Sequence, residues 1–160
     1  MVKQMRILHA NGFSENERLE FKEYVFSNII DGMFVLLTAM KNMEMHFDNP
    51  NLEFYADKVL EVKERREERR PFDVKMVEAL RALWDDKNLL EKVLPRRNEF
   101  HFVESSIYFL NSLERVSSIG YVPTVQDILN LRIETTEIVQ HHLQLPLVHQ
   151  DLLHLVPQQA

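Results

Sequence analysis

The chain has 160 residues, which is enough for one domain, or for one domain with a tail. Its 45% hydrophobic and 28% charged residues are typical of a globular protein rather than a disordered one. The absence of cysteine excludes a disulfide scaffold, a cysteine-ligated metal site and a cysteine nucleophile within this sequence. The formal net charge of −6 argues against general nucleic-acid binding, because neutralising phosphates requires an excess of basic residues.

Glycine is scarce, and this excludes two kinds of nucleotide-binding loop. The three glycines, Gly12, Gly32 and Gly120, stand far apart in the sequence. Neither a GxxxxGK(S/T) phosphate loop nor a GxGxxG turn can therefore form within these residues. Few glycines, only six prolines and long periodic segments together predict an all-α fold.

No segment is predicted to anchor the chain in a membrane. The longest apolar stretch, within Ile29–Met40, is shorter than a membrane span and is interrupted by Asp31. The first residues lack the apolar region of a signal peptide, and neither end carries a lipidation motif. We therefore expect a soluble chain in the cytoplasm.

The first predicted elements are the end of one helix and a long second helix. Residues 1–9 form a short amphipathic stretch that Gly12 closes. Ser14 and Glu17 have the spacing of a capping box, which predicts the start of a helix that runs to about Met45. Its apolar residues cover more than one face, as expected of a central helix with several neighbours.

The next helix is predicted from about Leu52 to Arg69, after turn-forming residues around Pro50. The run at the end of this helix, residues 61–70, contains five basic and four acidic side chains. Glutamate and arginine or lysine at helical spacing favour a solvated face with ion pairs. A basic binding patch is the alternative, which the alternating signs disfavour.

The C-terminal half is predicted to contain four further helices. Asp73 is a candidate N-cap for the first of them, and Thr124 with Asp127 has capping-box spacing before the last. These helices are expected over about residues 74–84, 88–94, 103–117 and 125–131. With the two long helices they make a compact six-helix domain. After Arg132 we expect an extended segment and then an irregular C-terminal tail.

Composition and spacing reveal little catalytic chemistry. The adjacent acids Asp85 and Asp86 point to different helix faces, so we interpret them as an exposed helix end rather than an acid–base pair. In the tail, His141 with His142, or His149 with Asp151, could ligate a metal, but solvated histidines are the favoured interpretation. From the residues alone, the chain is a helical binding or regulatory module.

Three motifs stand in order in the C-terminal half: ESSIYFLNSLER from Glu104, YVPTVQDIL from Tyr121, and RIETT from Arg132. Together they resemble the last two helices of the helical domain of a heterotrimeric G-protein α subunit, with the switch I segment that follows. The stretch from Val2 to Met33 is similar to the end of the helix after that family's phosphate loop and the long first helix of the helical domain. The resemblance covers residues 2–139.

The resemblance implies that the chain's cofactors are GTP or GDP and Mg²⁺. Arg132 matches the cis arginine finger that stabilises charge on the γ-phosphate, and Thr135 matches the switch I threonine that approaches Mg²⁺. Three matching residues lie along the ribose and phosphates: Leu129, Asn130 and Leu131. Glu104 and Ser105 match a pair that faces the nucleotide across the cleft between the domains.

The same resemblance implies four segments. Residues 1–13 would end the first helix of the G domain and form a linker, 14–131 the α-helical domain, 132–140 a switch I-like segment, and 141–160 a divergent tail. The phosphate loop, the DxxGQ motif with its catalytic glutamine and the guanine-reading NKxD motif do not occur in the sequence. Glu137 also stands where the family has a switch I glycine.

Two functional hypotheses follow. The first is a truncated or alternatively ended α subunit, a GTP-binding and GTP-hydrolysing transducer of receptor signals at the inner face of the plasma membrane. Its family partners would be the guanine nucleotide, the βγ subunits and a receptor, although the surfaces for βγ and receptor are largely absent, and the chain alone is expected to be inactive. The alternative is a non-catalytic helical interaction module that acts on a G domain in trans. An unrelated all-α domain is a third possibility, which the ordered motifs disfavour.

Overall fold

The computed structural model describes residues 12–133, and over this range the chain is all-α, with seven α-helices and no strand. The predicted fold class is thus confirmed. The helices are α1 (Glu15–Leu19), α2 (Lys22–Asn42), α3 (Glu53–Glu64), α4 (Val74–Trp84), α5 (Ser105–Asn111), α6 (Leu113–Val116) and α7 (Val125–Asn130). A 3₁₀ turn (Pro50–Leu52) precedes α3, and a π-helical turn (Leu89–Val93) and a second 3₁₀ turn (Leu94–Glu99) connect α4 to α5. The extended segment and tail predicted after Arg132, and the stretch 1–9, lie essentially outside the described residues.

Helix α2 is the central helix, as predicted. Thirteen of its 21 residues are buried, and it contacts α3, α5 and the π-helical turn. The segment Glu15–Asn42 is long enough to span a membrane, and an 18-residue window within it has a mean hydropathy of 1.2, so the expectation that no segment reaches that length is wrong. Because 72% of that window is buried within the domain, packing on several sides accounts for its apolar character.

Helices α2 and α3 end earlier than predicted, for the same reason. Glu44 and Arg66 adopt left-handed backbone conformations, with φ of 53° and 55°. The next residue in each case donates its main-chain N–H to a carbonyl five positions back, Met45 to the Met40 carbonyl and Glu67 to the Val62 carbonyl. Glycine is the usual signal for this motif, and neither position carries it.

Three of the predicted helices are interrupted or replaced. The long N-terminal helix is broken at Glu20–Phe21, where the Phe21 ring turns in to meet Phe13 at 5.5 Å. The helix predicted over 103–117 is split at Ser112 into α5 and α6. Pro95 does not stop a short α-helix. Instead it is the second residue of a 3₁₀ turn, a position where its missing N–H is tolerated.

The N-caps and the charged run agree with prediction. Ser14 and Thr124 form complete capping boxes with Glu17 and Asp127, and Asp73 caps α4. The run 61–70 forms local ion pairs, Glu61 with Arg65 and Glu67 with Arg70. The interpretation of Asp86 as part of an exposed helix end is wrong, because Asp86 is buried and accepts main-chain hydrogen bonds from Asp48 and Leu89.

Helices α2 and α5 pack unusually closely at Gly32. A Cβ atom at this position would lie 2.4 Å from Ser106 Cβ and 2.5 Å from Ser106 Oγ. Ser106 is itself buried, and its hydroxyl donates to the main-chain carbonyl of Asn28 at 3.3 Å. Glycine is therefore required here by the distance between the two helices, and this contact fixes the start of α5 against α2.

A buried carboxylate, Asp127, connects α5, α6, the following loop and α7. Arg115 donates to both of its oxygens, at 2.7 and 2.8 Å. The hydroxyls of Tyr108 and Tyr121 donate at 2.7 and 2.8 Å, and the main-chain N–H of Thr124 donates at 2.9 Å. Asp127 is completely buried, so these donors replace the water that the carboxylate loses on folding.

Burial alone would raise the pKa of Asp127, but the hydrogen bonds from Arg115, Thr124 and the two tyrosines outweigh it and hold the pKa well below its ordinary value. Burial and the bond to this carboxylate likewise raise the pKa of Tyr121. The carboxylate therefore remains charged in the folded domain. Its interactions stabilise the fold above the ordinary aspartate pKa of about 3.9, and that contribution is lost as the pH falls below it.

We predict that Gly32→Ala destabilises the domain by about 1–3 kcal/mol, because the added methyl group forces α2 and α5 apart. Alanine otherwise favours helix by about 1 kcal/mol over glycine, so the sign of the change is informative. Urea denaturation followed by circular dichroism measures it. A stabilised Gly32→Ala variant would contradict the close packing described here.

We predict that Asp127→Asn lowers the free energy of unfolding by about 3 kcal/mol at pH 6, because an amide NH₂ group replaces a buried oxygen that accepts several hydrogen bonds. Asp57→Asn on the exposed face of α3 is the matched control and should change it by less than about 0.5 kcal/mol. The difference between wild type and Asp127→Asn should shrink as the pH falls below about 4. A difference that is small at pH 6, or constant down to pH 3, would contradict this role of the carboxylate.

Candidate functional site

The chain leaves α7 as an extended segment that carries Arg132 to the surface. Leu131 has extended backbone angles, φ −63° and ψ 134°, and its side chain is buried. Ile133 packs partly against the hydrophobic core, whereas Arg132 between them is exposed. This alternation is what an extended segment on a packed surface requires.

The main chain of Arg132 is held by one buried side chain of α2. Asn28 Nδ2 donates to the Arg132 carbonyl oxygen at 3.0 Å, and the Arg132 N–H donates to Asn28 Oδ1 at 2.9 Å. Asn28 is only 6% exposed. Both ends of its amide are thus used on a single residue 104 positions later in the chain.

A groove of about 460 Å³ lies between this segment and the start of α5. Five of the seven predicted site residues line it: Glu104, Ser105, Asn130, Leu131 and Arg132. They come from two segments about 25 residues apart, which the Asp127 interactions and the Gly32 contact bring together. The remaining lining residues belong to 101–103.

The polar groups of the groove differ in their partners. Glu104 accepts a hydrogen bond from Arg97 Nε at 2.6 Å, so its carboxylate is already paired at the rim. The Ser105 hydroxyl oxygen is buried and has no hydrogen-bond partner within residues 12–133. Buried hydroxyls in folded proteins are normally hydrogen-bonded, so water or a group outside residues 12–133 can serve as its partner.

Two predicted residues are not brought to the groove. Leu129 is 36% exposed on α7 and does not line it, and Thr135 lies outside the described residues. The candidate metal ligands of the tail also lie outside them, and residues 12–133 contain no cluster of three or more metal-ligating side chains.

Sequence reasoning missed Asn28 and Arg97. A signal for Asn28 was present, since it is a polar residue inside the apolar run from Phe26 to Ile30 and therefore needs buried partners. Arg97 gave no comparable signal, because its pairing with Glu104 depends on the irregular turn Leu94–Glu99.

Comparison with known proteins agrees with the motifs. The model of the G-protein alpha subunit family matches residues 1–158, a range that includes most of the tail. The chain is 40% identical over 145 residues to the guanine nucleotide-binding protein alpha-3 subunit of Caenorhabditis elegans, which covers 91% of this chain and 41% of that protein.

Two further relatives give similar values. Identity is 37% over 142 residues to the G(o) subunit alpha of Lymnaea stagnalis, covering 89% of this chain and 40% of that protein. It is 36% over 140 residues to subunit alpha-15 of Homo sapiens, covering 88% and 37%. The chain thus spans about two fifths of the length of these relatives. On the extent of the family match and these identities, the chain belongs to the G-protein alpha subunit family.

Proposed function

We propose that this chain supplies the helical lid of a guanine nucleotide site and delivers Arg132 to the nucleotide. The observation that carries the proposal is the groove, where five residues with family roles meet although they come from two separate segments. Membership of the family makes a guanine nucleotide the expected ligand. The unpartnered Ser105 hydroxyl fits a polar ligand that enters the groove from outside.

Arg132 supplies the chemistry of this proposal. A guanidinium group is charged at every physiological pH and can donate to two phosphate oxygens at once. It would therefore stabilise the charge that develops on the γ-phosphate during hydrolysis. Asn130 and Leu131 would lie along the nucleotide, and Glu104 and Ser105 would face it from α5. Thr135 would approach Mg²⁺, whose other ligands this sequence does not provide.

Tight binding of GTP or GDP requires a phosphate loop, and the sequence contains none. The chain would therefore act on a nucleotide held by a G domain rather than hold it alone. Signal transduction through βγ subunits and a receptor, and a position at the cytoplasmic face of the membrane, are expectations from the family for the complete assembly.

We predict no GTP hydrolysis by this chain alone and acceleration when it is added to a GTP-loaded G domain of a curated relative whose helical segment has been deleted. Arg132→Ala should reduce the accelerated single-turnover rate by about 100-fold, because the charge on the γ-phosphate loses its partner. Arg132→Lys should recover only part of it, because lysine cannot donate in two parallel bonds.

Arg96→Ala is the matched control, since Arg96 is an exposed arginine that pairs with Glu99 and does not line the groove. The chain with this substitution should accelerate hydrolysis by the G domain as much as wild type does. Acceleration that survives in Arg132→Ala would contradict the proposal. Binding to the G domain without any acceleration would instead support the alternative, a non-catalytic helical module, which the self-contained core of residues 13–131 makes feasible.

A further inference from the structure

We propose that Asn28 is the positioning residue for Arg132: its side-chain amide fixes the Arg132 main chain and thereby sets the reach of the guanidinium group into the groove. The inference rests on the proposed function, since it concerns how the arginine is presented. Asn28 is not expected to touch the nucleotide.

The hydrogen bonds from Asn28 fix the register of the extended segment. Apolar contacts of Leu131 and Ile133 hold the extended segment to the core, but such contacts are non-directional and tolerate sliding. A slip of one residue would turn Arg132 toward the core and an apolar side chain toward the groove. The Asn28 amide contacts the N–H and the C=O of one residue only, at 2.9 and 3.0 Å, so it selects a single register.

Asn28 is itself held rigidly in the fold. Asn28 lies in the second turn of α2, the most buried helix of the described part of the chain, and its own carbonyl oxygen accepts from Ser106 at 3.3 Å. One turn later, Gly32 holds α2 against the same serine. The amide therefore projects from a fixed point, and leaving it unpaired in this buried position is unfavourable.

Arg132 lines both the open groove and a second cavity of about 100 Å³ that Asn28, Asp31, Val35 and Ser106 also help to line. Because Arg132 borders both spaces, packing by itself restrains its main chain weakly. The two hydrogen bonds from Asn28 supply the missing restraint.

The test compares Asn28→Ala, Asn28→Asp and Ser27→Ala in the hydrolysis assay with the G domain. Ser27 is the matched control, because it is a buried polar neighbour whose hydroxyl donates to the Tyr24 carbonyl at 3.2 Å and not to Arg132. Asn28→Ala should lower the maximal single-turnover rate by about 10- to 100-fold, as expected for a misplacement of about 1 Å. The concentration of chain at half-maximal rate should stay unchanged, and Ser27→Ala should behave like wild type.

Asn28→Asp keeps the acceptor for the Arg132 N–H but cannot donate to the Arg132 carbonyl, so its rate should lie between those of wild type and Asn28→Ala. Amide hydrogen exchange of the 160-residue chain provides a second readout. The Arg132 N–H should be protected in wild type and in Asn28→Asp and should exchange at least tenfold faster in Asn28→Ala, while the Ile128 N–H remains protected. If Asn28→Ala fails to fold, Asn28→Asp decides through its rate.

The inference is overturned if both Asn28 variants accelerate hydrolysis as much as wild type does. It is also overturned if their slower hydrolysis arises only from weaker association with the G domain, or if Ser27→Ala lowers the maximal rate as much as Asn28→Ala does. Failure of the proposed function looks different. In that case Arg132→Ala would hydrolyse like wild type, whereas the exchange of the Arg132 N–H would still report whether Asn28 holds it.

Discussion

The arrangement of the C-terminal half depends on one completely buried carboxylate, that of Asp127. Five donor groups converge on it, from α5, α6, the loop after α6 and the N-cap of α7. A buried charge without these donors would be strongly unfavourable, so the elements that supply them must come together in one arrangement. The resulting network fixes where the short helix α7 begins. Since α7 has only six residues, it also fixes where the extended segment leaves it.

The groove follows from that placement and from two features of α2. Gly32 admits Ser106 at a distance that no other residue would allow, which brings the start of α5, and with it Glu104 and Ser105, beside the central helix. Four residues earlier, Asn28 receives the main chain of Arg132. One helix thus supports both walls of the groove. The separation between the walls is a property of the folded domain, established before any ligand arrives.

The sequence predicted the fold class, the central helix and three N-caps, because periodicity and capping spacing are local signals. The five site residues that line the groove came from a family resemblance, and their roles stay predictions. Sequence-based prediction failed where a residue's partner is distant in the chain, or where the glycine that usually marks a helix end is absent. Glu44 and Arg66 close their helices in a conformation usually left to glycine, so the ends of α2 and α3 could not be located. Asp86 looked like an exposed helix end, but it is buried and accepts a hydrogen bond from the main chain of Asp48, 38 residues away. Ser105 could be assigned a role only by resemblance, since an unpartnered hydroxyl is visible only in three dimensions.

The groove between α5 and the segment after α7 is proposed to face a nucleotide held by a G domain. A chemical-shift map of the 160-residue chain, titrated with a G domain loaded with Mg²⁺ and a non-hydrolysable GTP analogue, tests this proposal most directly. We expect the perturbed amides to cluster at residues 101–105 and 130–132, while those around the exposed Phe54 on α3 stay unchanged. Perturbations confined to α3, or saturable binding that leaves the groove amides unaffected, would contradict the proposal.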